Sequence, residues 1–525
     1  MTTFTPVSED FVKDIIMSSN TKSCDLDPMP TEMLKQNIDF LIKPITHIIN
    51  TSLKKGIVPV EFKKAILSPL IKKANLDQNS LRNYRPVSNL AFLSKILEKV
   101  VRSQLKDHLN ENQLHELFQS AYKENHSTET AMLKILNDLL NSADKGEITI
   151  LSLLDLSAAF DTIDHDIMLT RLSTSFGIEG VTLQWYKSYL TGRTFSITIA
   201  DVSSSQYTLK FGVPQGSVLG PILYTMYTQS LGDVIKMHKL IYHMYADDTQ
   251  QYKSTTLEHF DSSIMNVENC IEDVDAWMCC NKLKNNKDKL EAITCSTTHK
   301  LKLLDHTHIS VGDSTIQFSD SVKVLGVHID KNLSMDTQIS YLCKITYLEL
   351  KRIANIRQYI DIETSKTLVS SFILSRLDYC NSLLAGMPKD KLNRLQRVQN
   401  NAARLILKVP KSEHITPFLK ELHWLPIHLR IKYKIALLCF KALNGLCPLY
   451  IENLLKPYVP GRILRSCGTN VLEEPLSRLK TYGDRSFSSY APRVWNALPK
   501  HVRDAKSISS FRSQLKTHLF KMYFD

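Results

Sequence analysis

Apolar and polar positions alternate along the chain with a period that changes several times. Up to about Ile57 the pattern is helical with breaks: Phe11, Ile15 and Ile16 recur at helical spacing, and Cys24–Pro30 (CDLDPMP) reads as a turn. This stretch is expected to dock on something larger. An apolar run, Ala65–Leu70 (AILSPL), leads into Lys72-Lys73, a polar loop and Tyr84-Arg85-Pro86-Val87-Ser88, which suits two short strands joined by a basic hairpin. Ser94–Leu109 puts Ile96, Leu97, Val100, Val101 and Leu105 on one face, and Thr128–Leu140 is helical as well. Ile148–Leu156 (ITILSLLDL) is short and almost wholly apolar, as a strand buried on both faces would be, and it delivers Asp155 to its end. Lys239–Tyr252 (KLIYHMYADDTQQY) places Ala246-Asp247-Asp248 between two β-prone stretches, as a tight hairpin would.

After about Asp330 the period is helical again. In Lys389–Lys408, Leu392, Leu395, Val398, Ala402 and Leu405 form one stripe, while Lys391, Arg394, Arg397, Arg404 and Lys408 form another. The first is expected to pack. The second is either a nucleic-acid contact or a solvated face.

At 525 residues the chain has room for two to four globular units, and 43% hydrophobic with 22% charged residues is the balance of a folded protein. No apolar run reaches the roughly 18 residues that span a bilayer, and Met1–Asp10 has neither a basic nor an apolar segment of a secretory signal, so an intracellular protein of nucleus or cytoplasm is expected. Ten cysteines, single except for Cys279-Cys280 and without a CxxC pair, suit a reducing compartment. The net charge of +12 is unevenly placed: residues 331–525 carry 32 Lys and Arg against 14 Asp and Glu, whereas residues 1–330 carry 33 against 39. A basic half of that size suits a polyanion, since each cation that neutralises a phosphate releases a counterion.

Asp155, Asp247 and Asp248 are the candidates for chemistry. Carboxylates at a strand end and in a hairpin turn can converge, and they repel unless a cation neutralises them; hard oxygen ligands favour magnesium, with manganese as an alternative. Two such ions about 3.5–4 Å apart can activate a hydroxyl and stabilise a leaving phosphate. The opposing reading makes Asp247 and Asp248 turn formers, and Asp161, Asp164 and Asp166 are expected to be turn or capping residues.

The order of several blocks adds to this. NYRPVSNLAFLSKILEKVV (83–101), LLDLSAAFDTIDH (153–165), GVPQGSVLGPILY (212–224), YADD (245–248), NKLKNNKDKLEAI (281–293) and VKVLGVHID (322–330) follow in succession. Together they resemble the ordered motifs of reverse transcriptases from non-LTR retrotransposons, the jockey-like elements in particular.

The resemblance implies roles residue by residue. Asp155 and Asp247 would hold two magnesium ions, with Asp248 completing the set and the Leu156 carbonyl as a backbone ligand. Phe160 matches a steric gate that lies against the sugar and selects deoxyribonucleotides; without the motif it would read as a core Phe at a helix start. Gln215 and Gly216 match the loop along the incoming nucleotide and template. Arg85 matches the arginine that clamps the triphosphate, with Lys72 or Lys73 as helper, and Lys289 a lysine near the leaving pyrophosphate. At that last block the family commonly reads N-x-x-K-T-E, and here Leu290 replaces the Thr. Leu325, Gly326 and Val327 resemble the hairpin that grips the primer end. Apart from the resemblance, the two-faced pattern of Lys389–Lys408 leads to the expectation that Arg394, Arg397 and Arg404 contact the duplex.

What the resemblance implies for the whole is an α+β, right-hand polymerase. An N-terminal helical extension (1–57) would precede fingers and palm (58–330), a helical thumb (331–410) and a basic helical C-terminal region (411–525). It would copy an RNA template onto a DNA primer from dNTPs, with no membrane partner. The stretch before Ala65 is too short for the endonuclease such reading frames usually carry, and the last 115 residues show no acidic set for RNase H. A truncated copy is therefore expected, and an inactive remnant that only binds nucleic acid is the rival reading.

Overall fold

The computed structural model describes residues 1–157, 160–199, 202–286, 289–459 and 470–525. Helices and sheets are mixed along the chain, so the α+β class is observed. The strands among the described residues are, in chain order, β1 (Lys64–Ile71), β2 (Tyr84–Leu90), β3 (Ile148–Ser157), β4 (Thr194–Ile199), β5 (Val202–Ser203), β6 (Tyr207–Thr208), β7 (Ile241–Tyr245), β8 (Asp248–Thr255), β9 (Lys284–Asn285), β10 (Glu291–Cys295), β11 (His308–Val311), β12 (Ser314–Gln317), β13 (Ser321–Val324) and β14 (Val327–Asp330). The chain divides into two compact units, one of Met1–Tyr122, Asp155–Met237 and Asp273–Lys287, the other of Lys123–Leu154, His238–Glu272 and Asp288–Asp525.

In the first unit a sheet runs β2-β1-β4-β5, with β6 also on β4. β1 and β2 are antiparallel, Ile71 opposite Tyr84, so the Lys72-Lys73 loop closes a hairpin as expected. β1 and β4 are parallel, Ala65 beside Phe195. The Phe92–Glu111 helix buries Ile96, Leu97, Val100, Val101 and Leu105 almost completely, each contributing about 1.5–3 kcal/mol of transfer free energy. The N-terminal helices join this core. Ser8 caps Glu9–Ser18 by accepting from the Phe11 N–H, and Gly56 at φ 66° ends Ile38–Lys55. Val12 and Ile16 face inward whereas Phe11 is exposed, one position off the face expected from spacing. Trp185 stacks on Tyr189 at 5.4 Å and donates from Nε1 to Ser52 Oγ at 3.1 Å.

In the second unit a sheet runs β10-β3-β8-β7. β3 has a neighbour on each side, which is why its sequence is apolar nearly throughout; Ile150, Leu151 and Leu154 are buried. Its two buried hydroxyls are satisfied, Thr149 Oγ1 with Ser254 Oγ at 2.8 Å and Ser152 Oγ donating to the Gln251 carbonyl. A Ser127–Thr130 capping box starts the Thr128–Lys145 helix. Helices Asp336–Ile356, Lys389–Leu407, Ile427–Leu443, Phe487–Asn496 and Ile508–Phe524 complete the unit, and Phe440 stacks on Phe511 at 4.4 Å between two of them. The Lys389–Leu407 helix buries Leu395, Val398, Ala402, Ala403 and Ile406, while Leu392 and Leu405 are half-buried. Four residues on from Ala402 lies Ile406, so Ile406 and not Leu405 continues the stripe. No helix among the described residues is long and apolar enough to cross a membrane.

Candidate active site

Three of the sequence blocks meet inside the first unit, held by backbone hydrogen bonds. The loop that carries Gln215 docks on the chain around Phe160: the Gly212 N–H donates to the Ile163 carbonyl at 2.8 Å and the Val213 N–H to the Phe160 carbonyl at 2.9 Å. On its other side the Ser88 N–H of β2 donates to the Gln215 carbonyl at 2.7 Å. Gly216 sits at φ 123°, and a Cβ there would lie 2.5 Å from the Ser88 carbonyl oxygen. Only glycine allows both the angle and the approach.

Gln215 Nε2 donates to Asp161 Oδ2 at 2.8 Å. Burial raises the Asp161 pKa, and the Gln215 bond and the Lys72 charge oppose the shift. Asp161, Gln215, Ser88, Pro86 and Arg193 line a cavity of about 210 Å³. Asp161 is in a turn, as expected, but it is also the partner of Gln215, which spacing did not reveal. Asp164 is the N-cap of His165–Thr174, accepting from the Asp166 and Ile167 N–H groups, and Asp166 lies in that helix's first turn.

Phe160 is half-buried in a turn, five residues before that helix begins. Its ring lies 5.1 Å from that of Tyr224 and edge-on to Tyr122 at 6.5 Å. The side chains of Arg85 in β2 and Lys73 in the hairpin loop are exposed and have no hydrogen-bond or ionic partner among the described residues. Lys72 instead donates to the Arg82 carbonyl at 2.8 Å.

A residue that the motifs did not single out holds this loop. Glu98, fully buried in the Phe92–Glu111 helix, accepts at Oε2 from the Val218 N–H at 2.7 Å and the Leu219 N–H at 3.0 Å. Burial pushes its pKa up, and the Arg193 charge and these two N–H groups pull it back. Arg193, itself 1% exposed, lies over the Tyr189 ring at 4.3 Å.

The carboxylates stand on the elements expected of them. Asp155 is near the C-terminal end of β3, where β9 pairs with the strand: Leu156 is opposite Asn285, and the Asn286 N–H donates to the Asp155 carbonyl at 3.0 Å. Tyr245 pairs with Asp248, so Ala246 and Asp247 are the two turn residues between β7 and β8. Ala246 has φ 56°, a left-handed conformation that costs a residue with a Cβ about 1–2 kcal/mol. Such strain recurs at functional turns. Among the described residues no group of three or more His, Cys, Asp or Glu is placed to hold a metal ion. Lys289 is exposed.

Leu325 and Gly326, at φ 45° and 84°, are the two turn residues between β13 and β14, and the Tyr379 hydroxyl donates to the Leu325 carbonyl at 2.7 Å. The hairpin is thus tied to the helices that follow it. The cationic stripe of Lys389–Leu407 is partly occupied. Lys391 pairs with Asp336 at 2.9 Å, Arg394 donates to Ser340 Oγ at 2.9 Å, and half-buried Arg404 donates to the Glu413 carbonyl at 3.0 Å; Arg397 is exposed.

Residues 71–329 match the family described as reverse transcriptase (RNA-dependent DNA polymerase). The chain is 25% identical over 414 residues to the probable RNA-directed DNA polymerase from transposon BS of Drosophila melanogaster, covering 77% of this chain and 44% of that protein. It is 24% identical over 424 residues to the RNA-directed DNA polymerase from mobile element jockey of Drosophila funebris, with the same 77% and 44% coverage. The chain therefore spans less than half the length of these curated relatives. A solved structure of apo telomerase from Candida tropicalis, truncated from its C-terminal domain, matches at TM-score 0.37 and 13% identity, over 59% of this chain and 60% of that one. With the motif blocks in their family order and three of them gathered around Gln215, residues 71–329 belong to the reverse transcriptase family, in its non-LTR, jockey-like branch.

Proposed function

We propose that the chain synthesises DNA on an RNA template, extending a primer 3′-hydroxyl with dNTPs. The observation that carries this reading is the family match over 71–329 together with the retained acidic positions, Asp155 at the end of β3 and Asp247-Asp248 at the β7–β8 turn. The rival, a remnant that only binds nucleic acid, has no such need of intact carboxylates.

The described residues hold no ready group of three His, Cys, Asp or Glu ligands; Asp155, Asp247 and Asp248 would hold magnesium once the ion offsets their mutual repulsion, with the Leu156 carbonyl as a further oxygen. Three carboxylates are hard, anionic donors of the kind that ion takes. When bound, it supplies charge neutralisation at the hydroxyl and the triphosphate. The chain's own residues do the positioning. The exposed side chains of Arg85 and Lys73, without an ionic partner among the described residues, take the triphosphate oxygens, the planar guanidinium by paired hydrogen bonds. Lys289 serves the leaving pyrophosphate, and the Gln215-Gly216 loop, braced by Ser88 and Asp161, lies along the nucleotide. Leu325-Gly326 supports the primer end. Fingers and palm are assigned to 58–330, the thumb to 331–410 and a basic C-terminal region to 411–525, behind an N-terminal extension of 1–57. Such an enzyme works inside the cell, where its template is.

The test is extension of one DNA primer annealed to RNA or DNA templates of the same sequence. Product on RNA is expected; product on DNA alone would make this another palm polymerase, and none on either would leave the remnant.

Two substitutions probe the substrate contacts. Phe160→Val should admit ribonucleotides while keeping much of the deoxynucleotide activity, read by competition between the two; unchanged discrimination would leave the ring a packing partner of Tyr224. Arg394→Gln with Arg397→Gln should weaken duplex binding for all sequences alike, since phosphate contacts carry no base information. The slope of log K against log salt should then fall by about 0.9 for each phosphate that is no longer neutralised. Binding and slope equal to the parent would make the stripe a solvated face.

A further inference from the structure

A cavity of about 630 Å³ opens in the basic C-terminal part of the second unit, lined by residues of the Ile427–Leu443 and Ile508–Phe524 helices together with Asn381 and Trp424. That is the size of a small-ligand site, which runs from roughly 300 to 1,000 Å³.

Its charges are not balanced internally. Arg430 is bonded to Asp378, with Nε donating at 2.8 Å, and Lys434 pairs with Glu129 at 3.0 Å. Arg512 and Lys516 also line the cavity, and they are exposed with no hydrogen-bond or ion-pair partner among the described residues. Spaced four apart on one helix, they lie on the same face. Tyr433 and Trp424 add two half-buried aromatic rings to the wall.

A buried polar atom gives the second, independent sign of a ligand. Asn381 is 4% exposed, and its Oδ1 has no hydrogen-bond partner among the described residues. Its Nδ2 donates to Asp378 Oδ1 at 3.3 Å, and since a carboxylate only accepts, this fixes which end of the amide is oxygen. A buried acceptor left unpaired costs about 1–3 kcal/mol, and a ligand N–H or O–H would relieve it.

Paired cations, aromatic walls and a lone acceptor together match a nucleotide: a phosphate for Arg512 and Lys516, a π-face for Trp424 or Tyr433, and a base amino or sugar hydroxyl for Asn381. We propose that this cavity binds a nucleotide unit of single-stranded nucleic acid. The site lies outside residues 71–329 and goes beyond the polymerase reading. It gives the C-terminal region a role in holding a strand.

The test uses the full chain and hexauridylate carrying one 5-iodouridine, cross-linked by light and mapped by mass spectrometry. The expected adduct is on Trp424 or Tyr433. In the Arg512→Gln, Lys516→Gln double variant its yield should fall at least five-fold, and the salt slope of hexauridylate binding should drop by about 0.7 for each phosphate left without its cation. Both side chains are exposed and have no partner among the described residues, so folding should be unaffected. Asn381→Leu, which removes the acceptor, should also lower the yield. Excess UMP that competes shows that a free nucleotide suffices; failure of UMP where unlabelled hexauridylate competes shows that the strand is needed, and both outcomes support the site. Adducts confined to residues 58–330, or an unchanged yield in the double variant, overturn it. Primer extension by the same variant reports separately on the polymerase reading.

Discussion

Asp247→Asn should lower primer extension by about 10²–10³-fold, the scale on which one preorganised electrostatic group acts in a transition state. RNA binding should hardly change, since the proposed source of that affinity is the basic half of the chain. Asn is as good a turn residue as Asp, and the backbone pairing of Tyr245 with Asp248 does not depend on the side chain between them. Extension is measured by gel and RNA affinity by fluorescence anisotropy. Equal loss of both would mean that the substitution had unfolded the sheet rather than removed a ligand.

The second large effect is expected at a residue that is not one of the three motif carboxylates. Glu98→Ala strips the partner from the Val218 and Leu219 N–H groups and leaves the buried Arg193 uncompensated, a combination that costs about 3–5 kcal/mol. Urea unfolding should show that loss, and the amides of Val218 and Leu219 should exchange faster because the loop has lost its anchor. Glu98→Gln keeps an acceptor oxygen, so it should retain most of the loop order while losing the charge interaction. A loss below about 1 kcal/mol in the Ala variant, the range of an ordinary neutral hydrogen bond, would make Glu98 a bystander.

The contrast between these two residues shows what a sequence pattern carries. β3 and the β7–β8 turn were legible because strand burial and hairpin geometry are local: an unbroken apolar run, or two turn residues between β-prone stretches, is visible within ten residues. The inner face of Phe92–Glu111 was legible for the same reason. Glu98 was not, because its partners lie 120 residues away and a helical period says nothing of which loop meets the helix. The one available signal was a Glu between Leu97 and Val100 on an otherwise apolar face. Asp161 read as a turn residue, and its bond to Gln215 needed the fold. Within Lys389–Leu407 the apolar face was right in direction but ended on Ile406, and Arg404 turned to the Glu413 carbonyl instead of solvent. Long side chains choose their partners in three dimensions.

Whether Asp155 and Asp247, 92 positions apart in the chain, serve one metal site is tested most directly by manganese. Mn²⁺ binding is followed by electron paramagnetic resonance on the full chain with an RNA template, a dideoxy-terminated primer and the next dNTP, so that chemistry cannot proceed. Asp155→Asn and Asp247→Asn should each abolish the tight Mn²⁺ signal seen with the parent. Full Mn²⁺ binding in the Asp155 variant would contradict the account, because the end of β3 and the β7–β8 turn would then not share an ion.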